Sequence, residues 1–164
     1  MHKSIARKTQ IGFTLIELVV VIVILGILSA TALPRFLGAS SSARTAAMQG
    51  IQGAVNSAIA VSRAQALIVG GAPVSVTLDG GTTVALFGGF PDATASGIGS
   101  AMNFASTKVA FTPGAGTSAA TAKWQDGTAT TPANCNVIYT AATSTGAAVP
   151  ATTPPSVAIV TSGC

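Results

Sequence analysis

Charge is scarce in this chain, and most of what exists is placed where it cannot build a charged site. Only 7% of the 164 residues are Asp, Glu, Lys or Arg, yet the formal charge is +4. Lys3, Arg7 and Lys8 all precede Gly12. After them, Arg35, Arg44, Arg63, Lys108 and Lys123 face Glu17, Asp79, Asp92 and Asp126, a net of 5 − 4 = +1. The basicity therefore belongs to the first twelve residues, and no Lys/Arg cluster interleaved with aromatics is left to track a phosphate backbone. Nucleic acid is not an expected partner.

The parts of a catalytic site are equally thin. His2 is the only histidine and Glu17 the only glutamate, and no G-x-S-x-G or metal-ligand spacing occurs. Asp79, Asp92 and Asp126 are too scattered for an oxygen cage, so no metal or cofactor is expected and the chain reads as a non-enzyme. There are two cysteines, Cys135 and Cys164. In an exported chain such a pair reads as one disulfide stabilising by roughly 3 kcal/mol, with free thiols as the alternative.

What the chain has instead is a long apolar run. Phe13 to Leu33 contains one charge, Glu17, and a helix of that length at about 1.5 Å per residue spans roughly 30 Å, the hydrocarbon thickness of a bilayer. Leu18 to Leu25 shows no polar face for water. The basic residues before it place the N-terminus in the cytoplasm and the remainder outside, with Arg35 and Arg44 weakening that asymmetry. Ala30-Thr31-Ala32 offers a rival reading, a secretory signal cleaved there. Glu17 separates the two readings, because a signal core gains nothing from a carboxylate at its start, whereas a charge kept at a membrane segment calls for a partner.

Pro34 removes one helix hydrogen bond and is expected to kink the helix. Beyond it, Met48, Ile51, Val55, Ile59, Ser62 and Ala66 draw one mostly apolar stripe, extended backwards by Leu37, Ser41 and Arg44. The helix should continue to about Val69 and stop at Gly70-Gly71. Strands follow: Val74 to Leu78 and Thr82 to Phe87 around a three-residue Asp79-Gly80-Gly81 turn, then Lys108 to Phe111, Lys123 to Gln125, Asn136 to Thr140 and Val157 to Thr161. An α+β fold is expected, with an antiparallel sheet packed on the apolar stripe and the last strand held near Cys135.

Gly12-Phe13-Thr14-Leu15-Ile16-Glu17 followed by an apolar helix resembles the N-terminus of type IV prepilins. More narrowly, Val19 to Leu28, Leu33-Pro34-Arg35-Phe36-Leu37 and Ala43-Arg44-Thr45-Ala46 resemble the mannose-sensitive haemagglutinin class of pilins. The resemblance implies a type IV pilin fold in four parts: a leader at 1–12, a transmembrane and filament-core helix at 13–34, its amphipathic continuation at 35–69, and a globular β domain at 70–164. It also implies cleavage between Gly12 and Phe13 by a prepilin peptidase and methylation of the new amine. Glu17 is implied to pair with that amine on a neighbouring subunit, and the helix to unwind between Gly26 and Pro34 in the filament, an intact helix kinked at Pro34 being the alternative. The expected role is a subunit that leaves the inner membrane, with the help of pilus assembly machinery, for an extracellular homopolymer used in attachment. A pseudopilin of a type II secretion system, which shares this N-terminus, is the alternative.

Overall fold

A computed structural model of the chain describes residues 13–164. Its first element is a single helix, α1, Leu15–Val69, which is 55 residues long and contains both Gly26 and Pro34. The chain divides into two compact units, one ending at Ser40 and the other running from Ser41 to Cys164.

In the first unit α1 is apolar all round from Leu18 to Leu25, and these side chains show between 40% and 63% of their surface. Among the described residues of the unit nothing covers them. The mean hydropathy of the most apolar stretch of α1 reaches 2.7, long and apolar enough to cross a membrane. A helix without a polar face gains nothing from standing in water, so its stability requires an apolar solvent or apolar neighbours.

In the second unit the helix is amphipathic, as its sequence stripe predicts. Met48, Ile51, Val55, Ser62 and Ala66 are buried, and Ile59 is partly so. Backwards along the stripe, Arg44 is half-buried but Ser41 is exposed. The helix ends where two glycines take left-handed conformations, Gly70 at φ 83° and Gly71 at φ 68°, and Gly70 N–H bonds back to the Ala66 carbonyl at 3.1 Å. A side chain would be strained at either position, so the stop lies in the sequence itself.

The strands form two antiparallel sheets rather than the one expected. The first has the order β1 (Ser75–Thr77), β2 (Thr83–Phe87), β3 (Phe90–Pro91). Leu78 N–H reaches the Thr82 carbonyl at 2.9 Å, closing the three-residue Asp79-Gly80-Gly81 loop. The second sheet is a meander, β4 (Val109–Thr112), β5 (Thr121–Asp126), β6 (Asn136–Thr140), β7 (Ser156–Val160). Between the sheets lie a π-type turn at Ala95–Gly99 and a short helix, Ser100–Met102, neither of which the sequence pattern signals.

Period-two alternation explains which face of the second sheet is buried. Ala122 and Trp124 on β5 and Val137 and Tyr139 on β6 point to one side and join Met48, Ile51, Val55 and Ala58 of the helix in one core. Phe111 packs on Trp124 with ring centroids 4.9 Å apart. A smaller core seats Ala66 against Val76, Val84 and Leu86 of the first sheet. The helix is thus sandwiched to both sheets by successive turns of one stripe.

Candidate functional site

The residues singled out by sequence fall into two groups, one in each unit. At the start of α1, Thr14 and Glu17 form a reciprocal cap. The Thr14 hydroxyl accepts from Glu17 N–H at 3.4 Å, while Glu17 Oε2 accepts from Thr14 N–H at 2.9 Å and from the Thr14 hydroxyl at 2.7 Å. This is a capping box, in which two backbone donors left over at a helix start are satisfied by side chains three residues apart. The signal for it is local: Thr14-Leu15-Ile16-Glu17 spells the pattern.

The cap has a chemical consequence. It folds the carboxylate back to the helix end beside Phe13, which is 93% exposed. An amine brought to that end would meet an oriented anion at the positive pole of the helix dipole. Gly12, the other half of the expected processing site, lies outside the described residues, as does the whole leader.

Gly26 and Pro34 both lie within the continuous α1, and a side chain at Gly26 would meet nothing within 4 Å. Pro34 carries no N–H, so the carbonyl of Ala30, four residues earlier, lacks its usual helical donor. Gly26 shares its open surroundings with Gly38, Gly50 and Gly53 of the same helix, whereas Pro34 is the one proline in it.

In the second unit Cys135 and Cys164 are bonded to each other, 29 residues apart in sequence. Cys135 is buried and directly precedes β6, and β6 pairs with β7 from Asn136↔Val160 to Thr140↔Ser156. The bridge therefore closes the end of that hairpin, as the sequence reading placed it. Arg44 completes the closure from the helix: its Nη1 donates to the Cys164 carbonyl at 3.3 Å, and its Nε lies 3.9 Å from Asp126 Oδ2.

Asp126 is buried, which disfavours its charge, but the Thr128 hydroxyl and N–H donate to its carboxylate at 2.7 and 2.8 Å. Together with Arg44 and Lys108 they hold its carboxyl below the usual range. Asp92 is committed in a similar way, accepting from Thr94 N–H at 2.9 Å and from the Thr94 hydroxyl at 2.5 Å. Both acids thus serve loops through Asx-type turns. Among the described residues no three His, Cys, Asp or Glu side chains converge as a metal site would need. Tyr139, whose hydroxyl donates to the Pro91 carbonyl, is pushed up by burial and by the charge of Asp92, and it ties β6 to the end of β3.

The sequence did not point to Arg63, which lies over the Phe90 ring at 4.6 Å and donates to the Gly89 carbonyl at 3.2 Å. That contact pins the Gly88-Gly89 turn, where both residues have positive φ, to the helix. The paired glycines between Phe87 and Phe90 were the available signal for a two-residue hairpin.

Comparison with known proteins bears on the first unit above all. Residues 7–33 match the family model described as the prokaryotic N-terminal methylation motif. That stretch includes Gly12, Phe13 and Glu17. The chain is also 51% identical over 55 residues to the type IV narrow pilus major component PilA5 of Thermus thermophilus. The alignment covers 34% of this chain and 47% of that protein, so the chain spans about half the length of the curated relative it matches. No solved structure matches.

Proposed function

We propose that the chain is the structural subunit of a type IV pilus, which polymerises with copies of itself into an extracellular filament used for attachment. The carrying observation is the exposed apolar helix headed by an oriented carboxylate within the matched methylation motif. A 21-residue apolar stretch, 33 − 12, suits storage in the inner membrane. Burial among identical helices suits a filament, because either environment removes the same surface from water.

Cleavage between Gly12 and Phe13 by a prepilin peptidase frees the Phe13 amine, which is methylated. Glu17 of one subunit then pairs with the Phe13 amine of a neighbour, and assembly machinery lifts the subunit from the membrane. Two opposite charges removed from water attract strongly, whereas either alone is costly to bury. The pair therefore acts as a register device: helices docked one turn out of place leave both charges unanswered. The Thr14 cap supports this role by holding the carboxylate at the helix end before a partner arrives. Gly26 and Pro34 give the helix the points at which to bend or unwind as it packs.

The test is to isolate surface fibres and determine the N-terminus of their main subunit by mass spectrometry. N-methylated Phe13 in the fibre is the expected result. A chain beginning at Leu33 assigns the apolar segment to a secretory signal, and a processed chain found only in the membrane with a secretion apparatus assigns it to a pseudopilin.

A further inference from the structure

Arg35 is the charge beside the apolar segment that the proposed function leaves without a task. It counts against the rule that basic residues stay on the cytoplasmic side, and it cannot be excused as part of the globular core. Arg44 has such an excuse, being engaged by Asp126 and the Cys164 carbonyl. Arg35 is exposed and makes no ion pair or side-chain hydrogen bond among the described residues.

Its position along the helix supplies a reason. Between Glu17 and Arg35 lies no charged residue, and the two are 35 − 17 = 18 residues apart on one continuous helix. At about 1.5 Å per residue that separation is roughly 27 Å, close to the 30 Å of a hydrocarbon core. The cap draws the Glu17 carboxylate towards Thr14, lengthening the uncharged interval slightly, and a long Arg side chain can reach outward to a headgroup. The two charges therefore bracket a bilayer: neither needs to lie in its interior when the other is at its boundary.

We propose that Arg35 is the outer-interface anchor of the membrane-resting subunit, its guanidinium bound to the phosphate of phospholipid headgroups, and that this contact sets the depth at which Glu17 waits. The inference rests on the membrane-span reading given above and adds to it a ligand, the lipid phosphate, and a residue that recognises it. A guanidinium presents several N–H donors in a planar fork that matches phosphate oxygens. Without that contact the uncharged interval runs on from Leu18 to Ala43, longer than the hydrocarbon, and the depth of the helix is no longer specified.

The full chain with Leu33→Trp, reconstituted in phosphatidylcholine vesicles whose acyl chains carry bromine at graded depths, reads this directly. Leu33 lies two residues before Arg35 and seven beyond the midpoint of Glu17 and Arg35, about 10 Å outside the bilayer centre, and the Leu33-native protein supplies the background from Trp124. Adding Arg35→Gln should move the quenching maximum towards the bilayer centre by about 3 Å or more, roughly two residues of rise. Arg35→Lys should restore most of the original depth, because an ammonium also binds phosphate. An unchanged depth in the Arg35→Gln chain, with quenching intact, overturns the anchor while leaving the membrane span in place. A Leu33→Trp chain that no bromine quenches overturns both.

Discussion

Opening the Cys135–Cys164 bridge should weaken the second unit by an amount that follows from its position. The bridge closes a loop of about thirty residues, and chain-entropy arithmetic for such a loop gives about 3–4 kcal/mol at 25 °C. The unit from Ser41 to Cys164 has 164 − 40 = 124 residues, and an unfolding entropy of about 2.1 cal/mol/K per residue makes roughly 0.26 kcal/mol per degree. The expected fall in Tm is therefore about 12–15 °C. This is an upper figure, because the reduced chain keeps local ties: Thr131 N–H to the Gly163 carbonyl at 3.1 Å and Gly163 N–H to the Asn134 carbonyl at 3.0 Å. The variant to use is Cys135→Ala with Cys164→Ala, since both cysteines are buried and a serine would bring an unpaired hydroxyl into the core. Trp124 is 1% exposed and packed on Phe111, so its emission reports unfolding of detergent-solubilised protein directly. A drop smaller than about 3 °C would refute the loop-constraint argument and assign the hairpin's closure to Arg44 and the backbone bonds instead.

Glu17→Gln keeps an acceptor for the Thr14 cap but discards the charge, so it should insert in the membrane and still fail to form long filaments, as Glu17→Ala should; normal fibres from the Gln variant, seen by electron microscopy, would mean that capping alone is the role. Trp124→Ala empties the centre of the larger core and should cost about 3–5 kcal/mol in denaturant unfolding, and a loss under 1 kcal/mol would contradict the packing described. Tyr139→Phe loses only the bond to the Pro91 carbonyl and should cost about 1–2 kcal/mol by the same assay. Asp126, whose carboxyl is held low in the folded chain, contributes stability that is present above the ordinary aspartate range near pH 4 and lost as pH falls through its lowered value. The difference in stability between the native chain and Asp126→Asn should therefore be constant above about pH 5 and shrink below about pH 4; a difference that grows on acidification would reverse the assignment.

The sequence by itself determined the long helix, its stop and its two characters. An uninterrupted apolar run, then a stripe of period 3.6, then paired glycines are local signals that need no partner to be read, and α1 ends where they say, its start at Leu15 lying two residues inside the run that opens at Phe13. It determined the three-residue turn at Asp79-Gly80-Gly81 for the same reason, whereas the cysteines, 29 residues apart, were legible only as each other's candidate partner until the fold joined them. The tertiary structure alone decided that the strands divide into two sheets, because the strand pattern specifies which face is buried and not which strand is its neighbour. It also decided the work of the scattered charges. Arg44, Arg63, Asp92 and Asp126 look like a sparse solvated set in one dimension, and each acquires its role from a carbonyl, a ring or a hydroxyl that folding brings to it. Even the Glu17 carboxylate, legible as a charge that needs a partner, showed its resting partner, Thr14, only once the helix start had a geometry.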